Sequence, residues 1–478
     1  MVDGRPVLTR EQTLALSKKI MAMSASDDVR VYISHSVRSV TELATDRVRK
    51  VDDGEMFRVG IFVNFPDELG LEYIETNQLD EQSLRELVAR ADALNAAIPT
   101  RHEKWGLPWW DEQDSYPPVK LWHEPTINAL NGAKNGIIPS IVDTVRKGQC
   151  HASGFIGIVA KANAVLTHAG ITAFCEETDS EVCVTARPGD ASTTGWSGVA
   201  ARDWSTIDPV RVAHEATEIS LRNQHPQAVE PGRRTAILGP AAVVQLMRWF
   251  VLHLDGDPSD RGLRAFSKVA NQEKGSRWHE HMFDPRVKVT SDPMDPAGGF
   301  RPWFANGLVS HPTTWVADSA LKYLAYGSGS LAHGKPYAEL PFGARLEGGT
   351  TTLEQMIAQC EEGIYVNRFS SVDNVDWHSG LLTGVTRDGC FLVKHGKIDR
   401  AVKNFRFLTS PFFVFNNIIA VGPTERAAYG YTPWTRTEKF SIPWDVFGEE
   451  FFEWPRRPMI VPPLMVRDFN FNALIDAV

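Results

Sequence analysis

The sequence predicts an α+β protein, with two small N-terminal α/β sandwich-like units followed by a large, mainly β C-terminal domain. Three observations carry this expectation. At 478 residues the chain exceeds what one simple core organises, so two or three domains are expected. Its first half twice repeats helical periodicity around runs of alternating apolar residues. After E-P-G-R-R (230–234) the composition shifts to longer strand-rich runs broken by glycine and proline. The boundaries follow as 1–115, 116–228 and 229–478.

Taken in order, residues 9–24 form an amphipathic helix with Leu14, Leu16, Ile20 and Met23 at helical spacing. Three strands follow: V-R-V-Y-I-S-H-S from Val29, S-V-T-E-L-A-T-D-R-V, and M-F-R-V-G-I-F-V-N-F. Residues 80–97 give a second, well-capped helix. Residues 105–125 hold Trp105, Trp109, Trp110, Tyr116 and Trp122 among four prolines, which excludes regular structure. Such a segment serves as a packed interdomain connection or as the aromatic wall of a groove; for the second role Trp109 and Trp110 are the cleft candidates. The central unit carries S-G-F-I-G-I-V-A-K-A, V-L-T-H-A-G-I-T-A-F, E-V-C-V-T-A-R and T-T-G-W-S-G-V-A-A as strands. It closes with a helix capped by Asp208 and opened by Pro209. In the C-terminal domain, T-R-D-G (386–389) and K-H-G-K (394–397) read as hairpin turns.

Composition excludes several classes. Hydrophobic residues at 43% and charged residues at 23% are ordinary for a soluble globular protein. The net charge of −9 gives no global case for nucleic acid or an anionic membrane. There is no apolar run long enough to span a bilayer and no signal-peptide core in M-V-D-G-R-P-V-L-T-R. Five scattered cysteines without a C-x-x-C pair fit reduced thiols, so a cytoplasmic location is expected.

Candidate chemistry is sparse. His214-Glu215 has Glu218 four residues on, where a zincin helix needs histidine; a solvated helix face explains the pair. His279 and His281 flank Glu280 and would share one face of a strand, but two ligands without a third are a weak metal site. G-W-S-G (195–198) is one residue short of a nucleophile elbow and reads as a glycine-bearing β edge. No phosphate-binding glycine motif occurs. Acidic neighbours of Cys360 would raise its thiol pKa, not activate it. V-K-N-F-R-F (402–407) and V-R-D-F-N-F (466–471) alternate as half-buried strands.

The order and spacing of these pieces carry a resemblance. E-P-G-R-R-T-A-I-L-G-P, F-D-P-R-V-K-V-T-S-D-P, G-I-Y-V-N-R-F, S-G-L-L-T-G-V-T-R-D-G-C-F-L-V-K-H-G-K-I and the two phenylalanine strings make the chain resemble, nearly end to end, the TldD/PmbA family. Within it the resemblance is to the TldE (PmbA) branch. The resemblance implies a heterodimer of two similar subunits. One, TldD-like, binds zinc through H-E-x-x-x-H and a distant cysteine; the other lacks that set. Here the corresponding six residues run from Arg248 and Trp249 to His253, and no cysteine lies beyond Cys390. Two ligands and the base are therefore missing, and His253 is a remnant.

The expectations follow. The chain holds no catalytic residue and no cofactor of its own, zinc belongs to a TldD-like partner, and Arg248 and Trp249 occupy the space of the metal and base. The substrate is an extended peptide or a small amide in a natural-product intermediate, with no nucleic acid and no membrane among the partners. Two alternatives stand beside this: a self-sufficient metallohydrolase with ligands relocated to His253, His279 and His281, and a non-enzymatic regulatory or binding protein.

Overall fold

The computed structural model describes residues 6–26, 29–64, 71–97, 116–168, 170–190, 193–268, 275–304, 307–327, 334–335, 337–341, 343–428 and 458–475. Trp109 and Trp110 lie outside them.

The first helix, α1 (Arg10–Met21), starts at a capping box in which Thr9 accepts from the Gln12 N–H and Gln12 reaches back to Thr9. Strands β1 (Arg30–Ala44) and β2 (Arg47–Asn64) form one long hairpin. The expectation of a separate strand S-V-T-E-L-A-T-D-R-V fails here. Thr45 and Asp46 both take positive φ (49° and 66°), which places a tight turn in its middle and divides it between β1 and β2. β3 (Leu71–Thr76) and α2 (Glu81–Ala97) complete this part.

Pro125 does not prevent helix; it sits in the first turn of α3 (Glu124–Asn128), which leads into α4 (Lys134–Lys147). Next come β4 (Cys150–Thr167), β5 (Thr172–Pro188) and β6 (Gly195–Ala201). The stretch V-L-T-H-A-G-I-T-A-F thus turns between β4 and β5 instead of forming one strand. α5 (Pro209–Arg222) begins where Asp208 accepts from the Val210 and Arg211 N–H groups, with Pro209 at the first position.

These six strands form a single antiparallel sheet in the order β3-β2-β1-β4-β5-β6. β1 pairs with β4 from Arg30–Thr167 to Leu43–Gly154, so both expected N-terminal units share one sheet. Helices cover one face. Ile20, Leu84 and Val88 pack on Val31, Ile33 and Val59, while Ile141, Val145, Val212 and Ala216 pack on Ile156, Ile158 and Val184. The opposite face meets the C-terminal half, through Trp303 beside Tyr32 and Phe62, and Ala241 and Ala428 beside Phe155 and Trp196.

The C-terminal half opens with β7 (Gly232–Leu238), α6 (Pro240–Leu252) and α7 (Gly256–Asp260). Short strands β8 (Val289–Ser291), β9 (Thr313–Ala317), β10 (Ala320–Leu321) and β11 (Arg345–Leu346) follow. After α8 (Leu353–Gln359) come β12 (Glu362–Asp376), β13 (Leu381–Lys394), β14 (Lys397–Ala401), β15 (Phe405–Thr409), α9 (Pro411–Asn416), β16 (Ile418–Val421), β17 (Glu425–Arg426), β18 (Ile460–Val461) and β19 (Leu464–Leu474).

The pairings β12–β7, β7–β19, β19–β15, β15–β13 and β13–β12 close a ring of five strands. Both phenylalanine strings contribute to it. Phe369 of β12 touches Phe407 of β15 at 4.4 Å between ring centroids and Phe469 of β19 at 5.8 Å, although neither strand is its neighbour. The contacts therefore cross the interior, which Phe405 and Phe471 also fill.

The expected hairpin at 386–389 is not one. Asp388 (φ 52°) and Gly389 (φ 125°) make a bulge within β13, where the register against β12 slips between Val366 and Arg368. The K-H-G-K turn is present: His395 and Gly396, both at positive φ, join β13 to β14. Among the described residues no helix is long and apolar enough to cross a membrane.

Candidate functional site

α6 is apolar apart from Gln245 and Arg248, with ten of its residues buried, so it runs through the core and not along a surface. Proline at its first position spares a backbone N–H that would have no partner. It packs on β12 and α9, so its C-terminal end meets the β12–β13 connection.

At that end the side chains converge on Trp377, in the turn between β12 and β13. Trp249 lies 5.9 Å from Trp377 and His253 5.4 Å from it, ring to ring. Arg264 stacks its guanidinium 4.2 Å over the Trp377 ring. Arg248 is half-buried and donates to Gln245 Oε1 at 3.3 Å.

His253 is fully buried. Its Nδ1 accepts from the Ala265 N–H at 3.4 Å, which leaves the ring proton on Nε2. Among the described residues that Nε2 has no hydrogen-bond partner. A Cβ at Gly380 would stand 3.3 Å from it and 2.4 Å from the Phe412 ring, so glycine, ring and imidazole meet at one point. Phe412 stands edge-on to His253, at 5.1 Å and 74°.

The electrostatics keep His253 neutral. Burial first and the Arg264 cation second push its pKa down to about 3, with Asp376 opposing. Burial also raises Asp255 to about 6, against the pull of Arg264. Asp376 is held at about 2, chiefly by the Ser379 hydroxyl and the His378 N–H.

These residues do not fit zinc. A zinc site needs three or four donors, and its histidines are commonly fixed by donating the second ring N–H to an oxygen. His253 is fixed the opposite way, by accepting at Nδ1, and a guanidinium stands nearby. Among the described residues no group of three or more His, Cys, Asp or Glu side chains is arranged to hold a metal ion.

The other sequence candidates lie apart. His279 is exposed, at φ 67°, and stacks on Trp278 at 5.3 Å; His281 is exposed beside Ala320. Neither joins the buried His253. His214 and Glu218 are exposed on α5, where Glu218 pairs with Arg222 at 3.9 Å. G-W-S-G lies in β6, at the edge of its sheet. Cys360 caps the end of α8, and burial raises its thiol, with Glu361 and Glu362 adding to the shift. The sequence reading missed Arg264, Trp377, Gly380 and Phe412. Only W-H-S-G between two strand patterns hinted at a turn, and nothing in it pointed to α6.

The family model described as the PmbA/TldA metallopeptidase C-terminal domain matches residues 231–473. No curated protein matches the chain significantly. Solved structures are similar over nearly the full length. A protein from Thermotoga maritima described as a DNA gyrase modulator aligns with TM-score 0.75 at 12% identity, covering 96% of this chain and 99% of its own. A second so described, from Bacteroides thetaiotaomicron, gives 0.74 at 15%, covering 98% and 100%. TldE from Thermococcus kodakarensis gives 0.73 at 12%, covering 97% and 99%. At these identities the structures establish a shared fold.

Proposed function

This chain belongs to the PmbA/TldD metallopeptidase family, and on that premise we propose that it is a zinc-less, TldE-like subunit of a heterodimeric metallopeptidase. A TldD-like partner carrying H-E-x-x-x-H supplies the zinc and the general base. This chain completes and shapes the cleft that receives an extended peptide or a small amide.

The observation that carries the reading is the state of His253. It stands where the last histidine of that motif would fall, yet its lone pair is taken up at Nδ1 by the Ala265 N–H. Arg248 and Trp249 replace the first histidine and the glutamate. A buried tryptophan against Trp377 cannot activate water. The five cysteines are free, which supports work in a reducing compartment such as the cytoplasm.

The test is metal analysis and a peptidase assay on the purified chain, alone and with a TldD-like subunit. The expected result is well below stoichiometric zinc on the chain alone, and hydrolysis only by the pair. Near-stoichiometric zinc on the chain, removed by His253→Ala or His279→Ala, would overturn the proposal.

A further inference from the structure

Just beyond α6, four groups enclose one ammonium ion. Lys335 Nζ lies 3.2 Å from Asp260 Oδ2 and 3.5 Å from the Tyr326 hydroxyl oxygen. It stands 4.9 Å from the centre of the Tyr326 ring and 5.6 Å from that of Trp278. The Tyr326 hydroxyl donates to the same carboxylate oxygen at 3.0 Å. The two rings lie 5.8 Å apart, inclined by 30°.

The walls of this box are fixed without the lysine. Tyr326 is 1% exposed and packs so closely under α7 that a Cβ at Gly256 would come within 2.4 Å of its ring. The Gly256 N–H donates to Ala325 O at 2.6 Å, and the Ala325 N–H to Leu254 O at 2.8 Å, tying Tyr326 to the end of α6. Trp278 donates its indole N–H to Lys322 O at 2.8 Å, and His279 stacks on it. Lys335 instead reaches in on an unbranched stem, with its side chain 34% exposed.

We infer that this box is a binding site for a primary ammonium ion, closed in the free chain by Lys335. Two aromatic faces attract a cation. The carboxylate and the phenolic oxygen add hydrogen-bond acceptors, which a primary ammonium can use and a quaternary one cannot. Lys335 competes as a tethered ligand, at an effective concentration on the order of millimolar. A simple amine therefore binds the unaltered chain more weakly than it binds the emptied box, and further contacts, such as the lysine side chain of an extended peptide would make, help to displace Lys335. The inference does not depend on the zinc-less reading, and its test needs only this chain.

Lys335→Ala and Lys335→Met each empty the box, the second while keeping a long apolar stem. The full-length variants are melted in increasing n-butylammonium chloride, tetramethylammonium chloride and sodium chloride. The expected result is a saturable rise in the melting midpoint with n-butylammonium alone, half-saturating at about ten-fold lower concentration than in the unaltered chain. Asp260→Asn in the Lys335→Ala background abolishes the rise. Overturning results are no saturable response in either variant or in the unaltered chain, an equal response to tetramethylammonium, or a response that survives Asp260→Asn.

Discussion

Replacing His253 by asparagine tests the buried imidazole directly. Asparagine keeps an acceptor for the Ala265 N–H but cannot titrate. An unfolded histidine has a pKa near 6.5, whereas His253 in the fold is pushed down to about 3. Between these values the unfolded chain binds a proton that the folded chain refuses, so stability is complete above the upper value and falls as pH drops. The loss is about 1.4 kcal/mol per pH unit, or about 2 kcal/mol between neutrality and pH 5. Asp255 works in the opposite sense, because its folded pKa is raised to about 6 and stability gained by its protonation appears as pH falls. That term is common to both proteins and cancels in their difference. Urea unfolding at pH 7.5 and 5.0 should show the unaltered chain losing about 2 kcal/mol more than His253→Asn. Equal losses, within about 0.5 kcal/mol, would refute a neutral, desolvated imidazole. Stabilisation of the unaltered chain alone by added zinc would refute the remnant reading.

Four further outcomes follow from the packing. Asp388 is 1% exposed and accepts from Thr194, just before β6, while pairing with Arg368. Because asparagine tolerates its φ of 52°, Asp388→Asn removes charge without backbone strain and should cost about 3 kcal/mol in urea unfolding. Gly380→Ala adds left-handed strain at φ 64° to an overlap with Phe412, and should cost about 3 kcal/mol. Gly262→Ala at φ 85°, with open space around it, should cost only about 1 kcal/mol by the same denaturation measurement. Phe407→Ala empties the centre of the five-strand ring, and calorimetry or urea unfolding should show a loss of about 4 kcal/mol.

The elements legible in the sequence were those fixed by local chemistry. The apolar spacing of Leu14, Leu16, Ile20 and Met23 marked the first helix, and Asp208 with Pro209 marked a helix start because capping is decided within four residues. The alternating phenylalanines of 402–407 and 466–471 marked strands because a pleat repeats every two residues. Long hairpins were harder. Thr45-Asp46 and Asp388-Gly389 both take positive φ, yet one is a turn and the other a bulge. Which of the two forms depends on whether the flanking residues pair with each other or with a third strand, and that partner is remote in sequence.

The sequence by itself determined the α+β class, since the periodicities that set it depend on which residues are present. It also supplied the order of motifs that the family match over residues 231–473 bears out. Only the tertiary structure decided that β1 and β4 join the N-terminal strands into one sheet, and that five C-terminal strands close around packed phenylalanines. It alone brought Arg264, Trp377, Gly380 and Phe412 to His253. Those residues lie on three separate stretches of chain. Their convergence is a product of long-range strand pairing and core packing, for which no local pattern carries a signal.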